Sequence, residues 1–279
     1  MLKKAYLEIS NSCNLSCSFC HKTKRELRFM SEEDFTRAAR ELRKHTEYLY
    51  FHLMGEPLLH PLLEKFLDIS HGLGFKVILT TNGTLLKKRK DILLSAKALH
   101  KVSISLHSFE ANEGSLSMDE YLTDCLEFCR DASEAGIISV MRLWNIGGQN
   151  GENERILRKI RDFFGSAWTT CYSGYKIKDK VFLEWGEKFD WPDIDADFIS
   201  DSHSCYGLRD QIGVLCDGSV VPCCLDADGE ITLGNIFENS LDEILSSKRA
   251  TDLKRSFENR NITEPLCTRC GFAAMKFSK

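Results

Sequence analysis

The sequence predicts an α/β protein, and three observations predict it. Short apolar runs alternate with amphipathic stretches over the first 165 residues or so, the runs are rich in β-branched and aromatic residues, and they are too apolar to leave one face in water. Strands of that kind are covered on both faces, as in a parallel sheet or barrel, where the strand ends on one rim carry the chemistry. KAYLEIS (4–10) is the first strand. Ser31-Glu32-Glu33-Asp34 then opens a helix with a capping hydroxyl and early acids. YLYFHLM (48–54), FKVILTT (75–81), VSISLHS (102–108) and IISVMRLWN (137–145) are further strands, with helices near 59–71, 84–98, 118–135 and 151–164. The rhythm loosens after Gly165. YKIKDKVFLEWGEKFDWPD (175–193) reads as an extended passage, and Pro192 with the acidic loop after it marks a border. Beyond about 200, cysteines and glycines dominate. DGSVVPCCLDADGEITLGNI (217–236) reads as a hairpin turned at Asp217-Gly218, and 241–258 as one helical segment.

A chain of 279 residues with net charge −4 and ordinary apolar and charged fractions buries a sizeable core. Its longest apolar runs are too short to span a membrane. The start MLKKAYLEIS lacks an export signal's apolar block, so the sequence reads as cytoplasmic. Mixed charge argues against a nucleic-acid partner, and Lys87-Lys88-Arg89-Lys90 reads as a solvated helix start.

Twelve cysteines in a reducing compartment point to metal or catalysis, not to a disulfide framework. They fall into a trio at 13, 17 and 20, a scattered middle at 125, 129 and 171, and a set at 205, 216, 223, 224, 267 and 270, which suggests two metal centres. The trio follows the first strand directly. Three thiolates there can hold an iron–sulfur cube with one iron left open for a reactant; zinc, the alternative, prefers four ligands at other spacings.

CNLSCSFC (13–20), with Phe19 before the third cysteine, resembles the signature of the radical S-adenosylmethionine family. The resemblance implies a partial (β/α)6 TIM-like barrel over 1–165. Cys13, Cys17 and Cys20 would hold a [4Fe-4S] cluster whose open iron chelates S-adenosyl-L-methionine, reductively cleaved to a 5′-deoxyadenosyl radical. MGEP (54–57) resembles the family's glycine-glycine-glutamate motif with Met54 in place of the first glycine, which makes Gly55 and Glu56 cofactor contacts. TNGTLL (81–86) and SISLHS (103–108) match the third and fourth strand ends. From these come Asn82, Ser105 for the ribose, and His107 where many relatives carry aspartate. In MRLWN, Arg142 would pair with the methionine carboxylate and Asn145 would hydrogen-bond nearby.

Cys205, Cys223, Cys267 and Cys270 resemble the ligands of the twitch domain, a shortened SPASM extension, over 200–279, with 166–199 as last strand and linker. This implies a second [4Fe-4S] cluster, fully ligated; a zinc ribbon is the alternative. Cys125 and Cys129 read as core residues. Cys224 abuts a ligand but points elsewhere on a strand, which makes it the candidate hydrogen donor, ahead of Cys216 and Cys171. The reading is an oxidoreductase that oxidises an amino sugar, a cyclitol or a residue of a ribosomal peptide and draws electrons from a flavodoxin- or ferredoxin-type donor. Glu184, Glu187 and Asp190 are candidate bases. Peptide epimerisation, thioether formation, and a non-catalytic metal-binding interaction protein are the alternatives.

Overall fold

The computed structural model describes residues 1–110, 117–148 and 150–277. Strand and helix alternate from the start as β1 (Lys4–Leu7), α1 (Glu32–Arg43), β2 (Tyr48–Tyr50), α2 (Leu63–Gly72), β3 (Lys76–Thr81), α3 (Leu86–Ser95), β4 (Leu99–Ser105), α4 (Met118–Glu134), β5 (Ile138–Ile146) and α5 (Asn153–Phe164). The helix starts follow the expected chemistry. The Ser31 side chain accepts the Asp34 N–H before an acidic first turn, and Ser117 and Glu120 form a reciprocal capping box on α4. The basic run on α3 is anchored to its neighbours, with Lys87 on Asp124, Lys90 on Asp131, and Arg89 Nε donating to the Leu58 carbonyl.

The extended passage after α5 resolves into β6 (Thr169–Cys171), β7 (Gly174–Lys178) and β8 (Val181–Glu187); β6 and β7 form an antiparallel hairpin, and β8 pairs parallel with β5. The cysteine-rich region adds β9 (Gln211–Val214), β10 (Ser219–Val221), β11 (Gly234–Asn235), α6 (Leu241–Ser246), α7 (Lys248–Glu258) and α8 (Gly271–Phe277). The expected single helix over 241–258 is two. Ser247 has ψ 153°, outside the helical region, and its side chain accepts the Ala250 N–H to start α7.

Among the described residues one sheet runs β11-β10-β9-β1-β2-β3-β4-β5-β8-β7-β6. Six parallel strands, β1 to β5 and β8, form the barrel wall. A seventh, β9, pairs parallel with β1, so the cysteine-rich unit continues the barrel's own sheet. Its partner strand β10 turns back at Gly218, where φ is +86° and a Cβ would meet Phe237 at 2.4 Å, so only glycine fits. One face of each strand is sealed under the helices, with Ala5, Leu7, Leu49, Val77, Leu79, Val102, Ile104 and Leu183 in a single core. The other face, carrying Lys4, Tyr6, Tyr50, Thr80, Lys101, Arg142 and Glu184, lines the lumen. Tyr6 and Arg142 lie four strands apart yet influence each other's ionisation, as a curled sheet brings them face to face.

Candidate active site

The cysteine trio sits where β1 gives way to a long loop at the C-terminal rim. The Cys17 carbonyl accepts the Cys20 N–H at 3.1 Å, which bends the loop back on itself, while the Cys13 sulfur accepts the Leu15 N–H at 3.4 Å and the Asn82 amide at 3.9 Å. Burial pushes the Cys13 thiol up, and Glu56, Cys17 and Cys20 push the same way, so the three sulfurs and the carboxylate are neighbours. Such a set of thiols on one loop, met by N–H donors, fits an iron–sulfur cluster.

The rim segments gather around this loop. Gly55 has φ +75°, and a Cβ there would meet the Ser10 carbonyl oxygen at 2.4 Å, so the 54–57 loop lies directly on the start of the cysteine loop. Glu56 is buried, and its carboxylate accepts the backbone N–H groups of Asn82 (2.7 Å) and Leu58 (3.0 Å). Burial raises its pKa to about 7. Asn82 ties the β3 end to the loop by donating to Asn14 Oδ1. The Ser105 carbonyl accepts the Ser108 hydroxyl at 2.6 Å, holding the turn after β4. Phe19 and His107 pack with ring centroids 4.9 Å apart; with Ser18, Trp144, Asn145, Gly148 and Lys188 they line a cleft of about 190 Å³. A cleft with this mixed polar and aromatic lining beside the third cysteine suits the adenosyl moiety of S-adenosylmethionine. Asn145 also exchanges a pair of amide hydrogen bonds with Asn153.

Arg142 points into the lumen from β5. Its Nε lies 3.6 Å from the Glu184 carboxylate, its Nη1 donates to Thr80 Oγ1 at 3.4 Å, and its guanidinium stacks 4.4 Å from the Trp144 ring centre. Of the candidate bases, Glu184 is therefore a lumen residue. Glu187 and Asp190 lie further along, at the end of β8 and beyond it.

Sequence reasoning missed Glu8. This fully buried acid at the end of β1 accepts a forked pair from Arg25 Nη2 at 2.7 and 2.8 Å, the Met54 N–H at 3.2 Å and the Cys216 N–H at 3.1 Å. It thus knots the cysteine loop, the 54–57 loop and the β9–β10 hairpin together. Next to it, His21, Thr23 and Lys24 bond Asp228, and Arg25 Nε bonds the Ala227 carbonyl. The segment after the third cysteine is docked on the segment after Cys224. The only available signal was one acid in an apolar strand followed by an arginine 17 residues on.

At the other end of the lumen Cys205, Cys223, Cys267 and Cys270 line one enclosed cavity, walled otherwise by Pro192, His203, Pro222, Asp226, Ile231, Phe257, Leu266 and Ala273. The Gly207 and Ala273 N–H groups donate to the sulfurs of Cys205 and Cys270. Burial raises all four thiols, and each is raised further by other cysteines of the set or helped down by those N–H donors. Four sulfurs around an apolar hole, met by backbone donors, fit a fully ligated cluster. Among the described residues no three His, Cys, Asp or Glu converge closely enough to surround a single metal ion. Cys125 and Cys129 are buried under the core side of α4, and Cys216 is buried with its thiol donating to the Glu8 carbonyl; Cys171 is exposed on β6. Cys224 diverges from Cys223: it packs against Tyr6 and Tyr50 in the lumen, shares a hydrogen bond with Tyr6, and feels Lys4 and Arg142.

A partial barrel with three cysteines on its rim loop and a four-cysteine cavity below defines the class, and the chain belongs to the radical SAM superfamily, whose model matches residues 7–163. An iron-sulfur cluster-binding domain model matches residues 205–271. Among particular proteins, the chain is similar to GTP 3′,8-cyclase of Aquifex aeolicus, 30% identical over 48% of this chain and 45% of the other. It spans less than half the length of the first curated relatives it matches. It is also similar to the sporulation killing factor maturation protein SkfB of Bacillus subtilis, 24% identical over 91% of this chain and 67% of the other. The fold matches BtrN in complex with AdoMet and 2-DOIA at TM-score 0.63, 19% identity, covering 97% and 93% of the two chains. It matches Streptococcus suis SuiB bound to S-adenosylmethionine at TM-score 0.65, 17% identity, covering 91% and 68%.

Proposed function

We propose that this chain is a radical SAM epimerase acting on a ribosomally made peptide, in which Cys224 returns a hydrogen atom to the substrate. Cys13, Cys17 and Cys20 would hold the first [4Fe-4S] cluster, and Cys205, Cys223, Cys267 and Cys270 the second, in a twitch-type extension. S-adenosyl-L-methionine would lie over the first cluster, with Phe19 and Asn145 around its adenosyl part and Gly55, Glu56, Asn82 and Ser105 as its further neighbours; Arg142, expected from the sequence at its carboxylate, we assign instead to the lumen beside Glu184 and Thr80. When bound, these groups supply a carbon radical that takes a hydrogen atom from substrate and the electrons, drawn from a flavodoxin- or ferredoxin-type donor, that start and reset the cycle.

The observation that carries the reading is the lumen position of Cys224. The rim loop and the four-cysteine cavity lie at opposite ends of the barrel, so a substrate between them exposes one face to the rim and the other to the Cys224 thiol. Burial raises the Cys224 thiol, which keeps the hydrogen on sulfur, as a hydrogen-atom donor requires. Donation forms the new C–H bond, breaks S–H, and leaves the sulfur one electron and one proton short. Tyr6, hydrogen-bonded to it, is the route for the proton, with Lys4 behind at 5.2 Å from the Tyr6 ring centre. The peptide class is supported by relatives covering more than nine-tenths of this chain, named for killing factor maturation and for biosynthesis of the bacteriocin subtilosin.

Net dehydrogenation is the competing outcome, and in it Cys224 is idle. Anaerobic turnover in D₂O of peptides encoded beside this gene separates the two. The wild type should yield an inverted residue carrying one solvent deuterium, and Cys224→Ala should cleave S-adenosylmethionine without inversion. A product lighter by two hydrogens, or inversion by Cys224→Ala, would remove the proposal.

A further inference from the structure

The lumen floor carries more positive charge than the chemistry above uses. Lys4 on β1, Lys101 on β4 and Arg142 on β5 all face inward; Lys101 and Arg142 share the Glu184 carboxylate, while Lys4 feels the Cys224 thiol and Asp210. Among the described residues neither Lys4 nor Lys101 makes an ion pair; the Lys4 ammonium rests over the rings of Tyr6 and Tyr50, 5.2 Å from each centre. Arg142 Nε is buried without a hydrogen-bond partner. Buried charges are ordinarily paired, because isolating one in a low dielectric is costly, so two lysines without an ion pair beside an arginine whose carboxylate partner is Glu184 describe a seat prepared for negative charge. The field is registered by His52, which lies between Tyr6, Tyr50 and Thr80: burial, then Arg142, Lys4 and Lys101, lower its pKa to about 3.

We propose that Lys4, Lys101 and Arg142 form an anion seat that takes a carboxylate of the substrate and holds it in the lumen beside Cys224. The proposal rests on the substrate occupying the lumen, as in the function proposed above. A guanidinium matches a carboxylate's two oxygens, and the two ammonium groups add charge without demanding geometry. Glu184, 3.6 Å from Arg142, holds the guanidinium in place until the substrate arrives. A peptide residue with an acidic side chain, or a peptide ending close to the reacting carbon, presents such a group.

The test is calorimetric titration of the anaerobically reconstituted full chain with acetyl-glutamate methylamide and, separately, acetyl-glutamine methylamide, which differ by one charge. Wild type should bind the acid roughly ten-fold or more tightly than the amide, with and without saturating S-adenosylmethionine. Lys101→Met should erase the preference; should that variant not fold, Lys4→Gln serves. Equal affinities, no binding of either probe at millimolar concentrations, or preference unchanged in both variants would overturn the seat. Displacement of the acid by S-adenosylmethionine would assign these cations to the cofactor's own carboxylate and equally overturn it. No turnover is needed, so a negative result here and a negative result with Cys224→Ala are distinguishable.

Discussion

Replacing Glu8 with glutamine removes one charge and reverses one hydrogen-bonding group at a point where three donors converge in four hydrogen bonds. The carboxylate accepts from Arg25 on both oxygens, from Met54 N–H on one and from Cys216 N–H on the other. Whichever way the new amide turns, its NH₂ faces a backbone N–H and the guanidinium. The side chain is inaccessible to water, whereas Arg25 keeps 15% exposure and can partly rehydrate. Hydrogen bonds to charged groups contribute about 1.5–3 kcal/mol each, and breaking a buried ion pair from one side costs about 3–5 kcal/mol. We expect a loss of about 3–5 kcal/mol, which for a chain of this size lowers Tm by roughly 6 to 20 °C. Anaerobic circular-dichroism melts of the iron-free protein read this directly, since no ligand contribution enters. Adding Arg25→Met should cost less than the sum of the single changes by at least about 1 kcal/mol, as for groups in one network. A Glu8→Gln loss below about 1 kcal/mol would mean that water reaches these donors, and the knot would not be what joins the barrel to the cysteine-rich unit.

Gly55→Ala should displace the cysteine loop, because the added carbon would meet backbone oxygens of Ser10 and Ser12 at 2.4 and 2.8 Å with φ at +75°; iron retained by the trio, followed in a variant lacking Cys223, should fall. Glu56 titrates at about 7 in the fold against an ordinary 4.5. The folded chain then holds a proton that the unfolded chain has already lost, so this group's contribution to stability falls as pH rises from 4.5 through 7 and is flat above. Glu56→Gln should remove that slope in urea midpoints compared at about pH 5 and about pH 8. Cys223→Ser should lower bound iron by about four atoms per chain and Cys224→Ser should leave it unchanged. Equal iron in the two variants would contradict the assignment of neighbouring cysteines to opposite sides.

What the sequence made legible is whatever is written locally. The strands were readable because a doubly covered strand must be apolar along its length, and the cysteine sets because cluster ligands must be thiolates at a spacing one loop can span. The Asp217-Gly218 turn carried its own signal. The interruption at Ser247 was missed: a serine there is compatible with a helix start, but the apolar pattern continues on both sides and concealed the break. Glu8 was not legible, because its meaning lies in partners at 25, 54 and 216 that only the closed sheet brings together. Glu184 stood undistinguished among three candidate bases for the same reason: its place in the lumen follows from β8 pairing with β5, a register no local pattern states. The parallel pairing of β9 with β1 is the most consequential of these non-local facts. It makes the four-cysteine cavity an extension of the barrel wall, and it carries Cys224 from the end of that extension to the side of Tyr6. A motif can specify which atoms a cluster binds; which face of a substrate then meets a thiol is decided by how the sheet closes.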